Sequence, residues 1–424
     1  MRSLKLFAAL AFGLALAFNA AAGDYLAVAR WHQSAESVVY NWMVDHTLSD
    51  TSGVATMTFT GKRPVYCTHK NSVAVSCVSR GDCFVFTFPL GGLPAGAIVD
   101  FGTSLSVTEG GGPERWVCEV LDGGRWRSDD GRRASLTVKK YKGGNPSTYL
   151  HSFTLKAAVK DEVQVRLRSL DSSENPDAKI YFPQIPWISA YLSVSTIPER
   201  DRRNMLLLGN SFTYFCGTYY ALREIARSQG HGLDMTLNLK GGVSFGQHLK
   251  LEKSQEALSS HAPYDVALLQ NGSVTAAQYI SEIVRSIAED CVAMAGEVRK
   301  YSPKARVVLE RTWSYANKDY RGFGSYEAFD AALQEGAEKL SAKMDAELSP
   351  IGQAFILGRE RGLKLYWRDN FHQNFTGAYL KACVNYLLLF GEPFNDSVSD
   401  YTLDPATAAL CRAIAAEVVP TSKN

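Results

Sequence analysis

The chain has 424 residues, with 45 Lys+Arg against 43 Asp+Glu, 46% hydrophobic and 11% aromatic content, 8 cysteines and 34 glycines. These values lie near globular averages, which excludes collagen-like, coiled-coil and disordered classes, and the length calls for about two or three domains. The formal charge falls from +2 to zero when Arg2 and Lys5 are set aside with the leader described next, so bulk charge offers no attraction to nucleic acid or to anionic membranes.

Residues 1–5 are a basic stub, 6–18 an apolar run, and Asn19-Ala20-Ala21-Ala22-Gly23 a small-residue site, the order of a secretory signal peptide cleaved after Ala22. The apolar run is shorter than the roughly 20 residues a membrane-spanning helix needs, and no later segment is long and apolar enough. The expectation is an exported chain, secreted or periplasmic, with no transmembrane segment. From about 27 to 195 short alternating runs follow one another between Gly, Pro, Asn, Asp and Ser: 54–60, 84–88, 105–108, 116–120, 134–138, 163–168 and 190–194. A period of two in short runs predicts an all-β sandwich of jelly-roll type over 23–197. Residues 197–203, charged and containing Pro198, read as the connector to a second domain over 198–424.

After Asn204 the period changes. Strands are expected at 205–208, 233–239, 266–269 and 306–309, with a last short apolar segment at 363–367, and helices at 281–300, 326–348, 377–390 and 406–418. Apolar strands alternating with helices predict a parallel, flavodoxin-like α/β sheet whose chemistry sits at the C-terminal strand ends. Four cysteines fall in each half, Cys67, Cys77, Cys83 and Cys118, then Cys216, Cys291, Cys383 and Cys411; an oxidising compartment permits pairing within each half. No C-x-x-C spacing occurs, so no metal or cofactor is expected, and Cys216 reads as a small buried hydrophobe.

The first α/β strand runs into Gly209-Asn210-Ser211-Phe212-Thr213, a turn that exposes a serine at the start of a helix. The serine also suits a helix N-cap. As a nucleophile it needs a base, and the one Asp-x-x-His of the chain, Asp369-Asn370-Phe371-His372, falls late, before the helix expected from 377. His231, His248 and His261 have no acid in a comparable arrangement and are expected as surface or capping residues. Trp313, at a strand end, is a candidate for the substrate pocket or for packing.

Gly209-Asn210-Ser211 and Asp369/His372, in that order and context, resemble the first and last blocks of the SGNH or GDSL hydrolase superfamily over about residues 204–395. The resemblance implies a serine esterase with Ser211 as nucleophile, His372 as base and Asp369 as its orienting acid. It also implies an oxyanion hole made by the amides of Ser211 and Gly242, with Gly241 the near alternative. In the third block this chain has Leu269-Gln270-Asn271-Gly272 where the family has Gly-x-Asn-Asp, so Gln270 is the expected third donor and Asn271 its alternative, since both carry an NH₂ group.

The sandwich half resembles carbohydrate-binding jelly rolls in pattern alone, with Trp31, Trp42, Trp116, Trp126 and Trp187 as candidates for stacking on sugars or for the core. The combined expectation is an exported carbohydrate esterase acting on acyl, foremost acetyl, esters, with polysaccharide binding by the first half and no nucleic-acid partner. The alternatives are a lipase, thioesterase or lysophospholipase of the same fold, and a non-catalytic glycan-binding protein with a degenerate hydrolase half.

Overall fold

A computed structural model of the protein describes residues 25–29, 46–49, 55–61, 65–69, 72–108, 110–128, 135–138, 147–182, 190–282, 286–316 and 320–421. The expected leader, Trp31, Trp42 and Trp187 lie outside the described residues. The first half forms two antiparallel seven-stranded sheets. One carries Ile98–Val107 at its centre, paired with Ala190–Ser195 and Ser147–Thr154; the other carries Cys83–Phe88 and Arg115–Asp122 on either side of Val163–Ser169. Val163–Ser169 alternates strictly between buried and half-buried positions, as a strand with one wetted face must. The inward residues of both sheets share one core, in which Phe86 meets Phe101 with ring centroids 5.0 Å apart. Trp116 is wholly buried in that core, donating its indole N–H to the Pro113 carbonyl, so it is no sugar platform. Trp126 is half-buried, with Arg166 over its ring at 4.3 Å.

The second half is a five-stranded parallel sheet: β1 (Asp201–Gly209), β2 (His231–Leu239), β3 (Val266–Leu269), β4 (Arg306–Glu310) and β5 (Glu347–Ser349), in the order 2-1-3-4-5. The run 205–208 shows why the sheet is covered on both faces. Met205 and Leu207 enter one buried cluster and Leu206 and Leu208 another, on opposite sides of the strand. The principal helices are α1 (Ser211–Tyr214), α2 (Thr218–Ser228), α3 (Ile287–Tyr301), α4 (Tyr326–Met344), α5 (Ile351–Glu360), α6 (Phe375–Phe390) and α7 (Pro405–Val418). Asn374 caps α6 by accepting from the Gly377 amide, and Gly391 ends it at φ 69°.

Two expectations are corrected. The segment 363–367 is not a strand of the sheet; Tyr366 forms a single bridge to Gln373, and the fifth strand is 347–349, within the window read as the end of a helix. Helix α5, not among the expected helices, fills the interval between that strand and 363. Cys83, Cys118, Cys216, Cys291, Cys383 and Cys411 are buried and Cys77 is half-buried, and none of these seven is in a disulfide. No helix among the described residues is long and apolar enough to cross a membrane.

The halves meet along α2. Arg223 and Arg227, one helical turn apart, converge on Asp100 from the sandwich; Arg223 Nε lies 2.8 Å from its carboxylate and the Arg227 guanidinium also contacts it, all three being buried. Glu199 adds a second carboxylate 2.9 Å from Arg223. Tyr191 stacks on Tyr220 at 4.4 Å and donates its hydroxyl to Glu224 at 2.7 Å. Burial alone would raise the Asp100 pKa, but the two guanidiniums and the Ser152 hydroxyl outweigh it and hold it at about 2.

Removing one member of such a network leaves uncompensated buried charge. Asp100→Ala should lower the unfolding free energy by about 3–5 kcal/mol, read by urea denaturation at neutral pH. A depressed carboxylate contributes fully above its ordinary value of 3.8 and loses that contribution as pH falls toward 2, so wild type and variant should converge in stability over that window. Unchanged stability at neutral pH would show the ion network to be dispensable.

Candidate active site

Strand β1 ends at Gly209 and α1 begins at Ser211, with Asn210 between them as N-cap. Asn210 uses its whole side chain. Its Oδ1 accepts from the Phe212 amide, and its Nδ2 donates to the carbonyls of Val243 and Asn271, each at 3.0 Å. It thus ties the ends of β1, β2 and β3 together. Helix α1 stops after one turn because Cys216 and Gly217 take left-handed backbone, φ 53° and 66°, and α2 departs in a new direction. Cys216 is wholly buried, a packing residue held in a conformation that favours glycine.

The structure brings Ser211, His372 and Asp369 into one line. His372 Nε2 lies 2.7 Å from Ser211 Oγ, and His372 Nδ1 lies 2.8 Å from Asp369 Oδ2. The other carboxylate oxygen of Asp369 accepts the amides of Phe371 at 3.1 Å and His372 at 3.0 Å, so the acid is fixed by its own loop. Asn370 supports that tight turn with φ 65°. The imidazole lies parallel to Phe215 at 4.2 Å and against Phe371 at 4.2 Å. This partial burial disfavours the charged ring and lowers the His372 pKa below 6.5, while the hydrogen bond and charge of Asp369 pull the other way and only partly offset it. The ring is neutral at neutral pH, with its proton on Nδ1 facing the carboxylate and its Nε2 lone pair facing the hydroxyl.

Gly241 and Gly242 lie exposed in the turn after β2. Gly242 holds φ 71°, and the carbonyl of Val243 is bound to Asn210, which places this turn beside the Ser211 turn.

The expected third donors are corrected. Gln270 is buried with Oε1 accepting from the Asn210 amide at 3.0 Å and its NH₂ turned to the Asn271 carbonyl. The Asn271 Oδ1 accepts from Phe245 at 2.9 Å and Gly272 at 2.8 Å, while its NH₂ points to Cys291 Sγ at 3.3 Å. Both carboxamides are committed to bracing the loops, which accounts for polar side chains at the end of an apolar strand.

Trp313 is 1% exposed and is therefore no pocket-lining residue. It stacks between Phe212 at 4.7 Å and Phe355 at 4.1 Å, and its indole N–H donates to the Phe371 carbonyl at 3.0 Å, directly before His372. His248 is not a surface residue. It is wholly buried, with Nε2 3.1 Å from the Gly209 carbonyl and Nδ1 2.9 Å from Ser254 Oγ, and desolvation pushes its pKa down to about 4. His231 is buried at the start of β2 between Arg200 and Glu392, with its pKa lowered by burial. His261, half-buried, is the C-cap residue of the helix Glu252–Ser260. Sequence reading also passed over Gln373 and Lys381. The signal for Lys381 was a lone charge inside an apolar helical run.

Among the described residues no group of three His, Cys, Asp or Glu could hold a metal ion. No family model and no curated protein matches the chain. Among solved structures, the chain is similar to a protein from Slackia heliotrinireducens named as an SGNH hydrolase, at 21% identity over 44% of this chain and 99% of that one, with a TM-score of 0.38. It is also similar to a family two carbohydrate esterase from Cellvibrio japonicus, at 11% identity over 82% and 97% of the two chains and a TM-score of 0.31. A third is a catalytic mutant of an acetylxylan esterase from Geobacillus stearothermophilus, at 12% identity over 45% and 95% and a TM-score of 0.32. These are likenesses of fold alone.

The His372 ring should titrate below 6.5 when followed by NMR. Since Asp369 raises that pKa, Asp369→Asn should move the midpoint lower still. A midpoint that rises in the variant would contradict the assigned balance of burial and carboxylate.

Proposed function

We propose that the protein is an exported serine esterase that hydrolyses acyl esters, foremost acetyl, on carbohydrate. The observation that carries the reading is the pair of hydrogen bonds joining Ser211 to His372 and His372 to Asp369. His372 Nε2 takes the Ser211 proton as Oγ attacks the ester carbonyl, and Asp369 stabilises the imidazolium that forms. The tetrahedral oxyanion is received by the backbone amides of Ser211, at the positive end of α1, and of Gly242. Collapse expels the sugar oxygen, which takes the proton back from His372. Water, deprotonated by the same base, then attacks the acyl-serine; collapse breaks the bond to Ser211 Oγ, which recovers the proton from His372 as the acid leaves.

Carbohydrate as the acyl carrier is supported by the leader pattern, the neutral charge without it, and a sandwich preceding the hydrolase half, the last by analogy. The first half is proposed as a polysaccharide-binding module, and Trp126 is its half-buried aromatic among the described tryptophans.

Wild-type protein should release acetate from acetylated polysaccharide, and Ser211→Ala should retain no activity above background. Incubating both proteins with acetylated polysaccharides and a series of longer acyl esters decides the class. Preference for long chains would place the protein among lipases or lysophospholipases, and turnover of no ester would leave a glycan-binding protein.

A further inference from the structure

The turn carrying Ser211 is held from behind by a polar cluster that the chemistry above does not use. The Phe212 carbonyl, one residue past Ser211, accepts from Lys381 Nζ at 2.9 Å and from Gln373 Nε2 at 3.1 Å. Lys381 lies on α6 at 1% exposure, among Ala378, Tyr379, Leu380, Ala382 and Cys383, all buried. Its charge is met by Glu310 Oε2 at 2.7 Å, at the end of β4. The other oxygen of Glu310 accepts from Asn385 at 2.7 Å, and Asn385 in turn accepts from Ser349 Oγ at 2.8 Å on β5. The lysine is thus moored to β4 and, through Asn385, to β5 at the sheet edge. Gln373 follows His372 directly and is wholly buried; its Nε2 also reaches the Phe215 carbonyl at 3.1 Å and Thr218 Oγ1 at 3.3 Å. Its Oε1 has no hydrogen-bond partner among the described residues, so its side chain is engaged through the donor end alone.

An apolar side chain at 381 would fit this helix without the desolvation cost of a buried ion pair. What it would lose is a donor for the carbonyl of a helix too short to satisfy its own. We infer that Lys381 and Gln373 form a clamp on the Phe212 carbonyl that sets the separation of Ser211 Oγ and His372 Nε2. The inference rests on the proposed roles of Ser211 and His372. Both clamp members are positioning residues: Lys381 fixes the nucleophile turn against the sheet, and Gln373 ties the base loop to the same acceptor.

The test uses the full chain as wild type, Lys381→Met and Gln373→Met, assayed below the unfolding temperature of each. With p-nitrophenyl acetate as probe, kcat should fall about 10- to 100-fold in each variant with KM within about twofold, since displacement of a reacting group by about 1 Å can cost that much. The 15N resonance of His372 Nε2 should also leave its hydrogen-bonded position. A purely structural role would lower the unfolding temperature and move neither quantity. Folded variants with kcat and the resonance unchanged would overturn the clamp. If wild type turns over no ester, the esterase reading falls and the resonance alone decides the clamp. Should Lys381→Met fail to fold, Gln373→Met decides it.

Discussion

A helix of one turn satisfies almost none of its own backbone groups, and the region around Ser211 is organised by that deficit. Helix α1 cannot lengthen, because the left-handed backbone at Cys216 and Gly217 turns the chain away. Partners therefore come from elsewhere. The Gly209 carbonyl accepts from the Lys240 amide at 2.9 Å and from His248 at 3.1 Å. Gln270 receives the Asn210 amide, the Asn210 side chain receives the Phe212 amide, and Lys381 and Gln373 serve the Phe212 carbonyl. Apart from Asn210, the N-cap of the turn itself, these partners come from the segments after β2 and β3, from the residue after His372 and from α6. The site is held where these segments meet, and its rigidity is a property of the whole sheet end rather than of one loop.

Helix α2 extends that constraint to the first half. It starts where the Ser211 turn ends, and within its three turns it carries the two arginines that grip Asp100. Ion pairing at this depth is a poor source of net stability, since well-packed apolar residues would serve as well or better. It is, however, selective about geometry, because two planar guanidiniums must meet one carboxylate. The apolar contacts run alongside: Leu150 and Tyr191 from the sandwich belong to the same buried cluster as Tyr220 and Leu222 of α2. The sandwich is therefore joined to the α/β half through shared core.

The alternation of 163–168, the continuous apolar run at 205–208 and the change of period between them were readable because burial on one face or on two leaves a direct trace in residue type. Asp369 and His372 were readable because their contact is local: a three-residue spacing in a tight turn brings carboxylate and imidazole together whatever surrounds them. The distance to Ser211 was not, since it spans 161 residues and depends on packing. Residue type advertises hydrogen-bonding capacity without naming the partner, which is why Gln270 and Asn271 looked like oxyanion donors and proved to be braces. Trp313 stays open between pocket wall and core at the level of sequence, because its strand-end position is shared by both, and the structure places it in the core. The segment 363–367 has the apolar character of a strand, but its neighbours at the sheet edge are already taken by 347–349.

The two imidazoles that contact the 209–211 turn show how partners decide what a histidine can do. His248 and His372 both engage both ring nitrogens, and burial depresses both pKa values. The Nε2 of His248 faces a carbonyl, which can only accept, so that nitrogen must carry the proton and has no lone pair to offer. The Nε2 of His372 faces a hydroxyl, and its Nδ1 faces a carboxylate, which draws the single proton of the neutral ring to Nδ1 and leaves Nε2 free to accept. Exchanging the two environments would exchange the two capacities. A carboxylate behind one ring and a carbonyl in front of the other are enough to separate a candidate base from a structural pin.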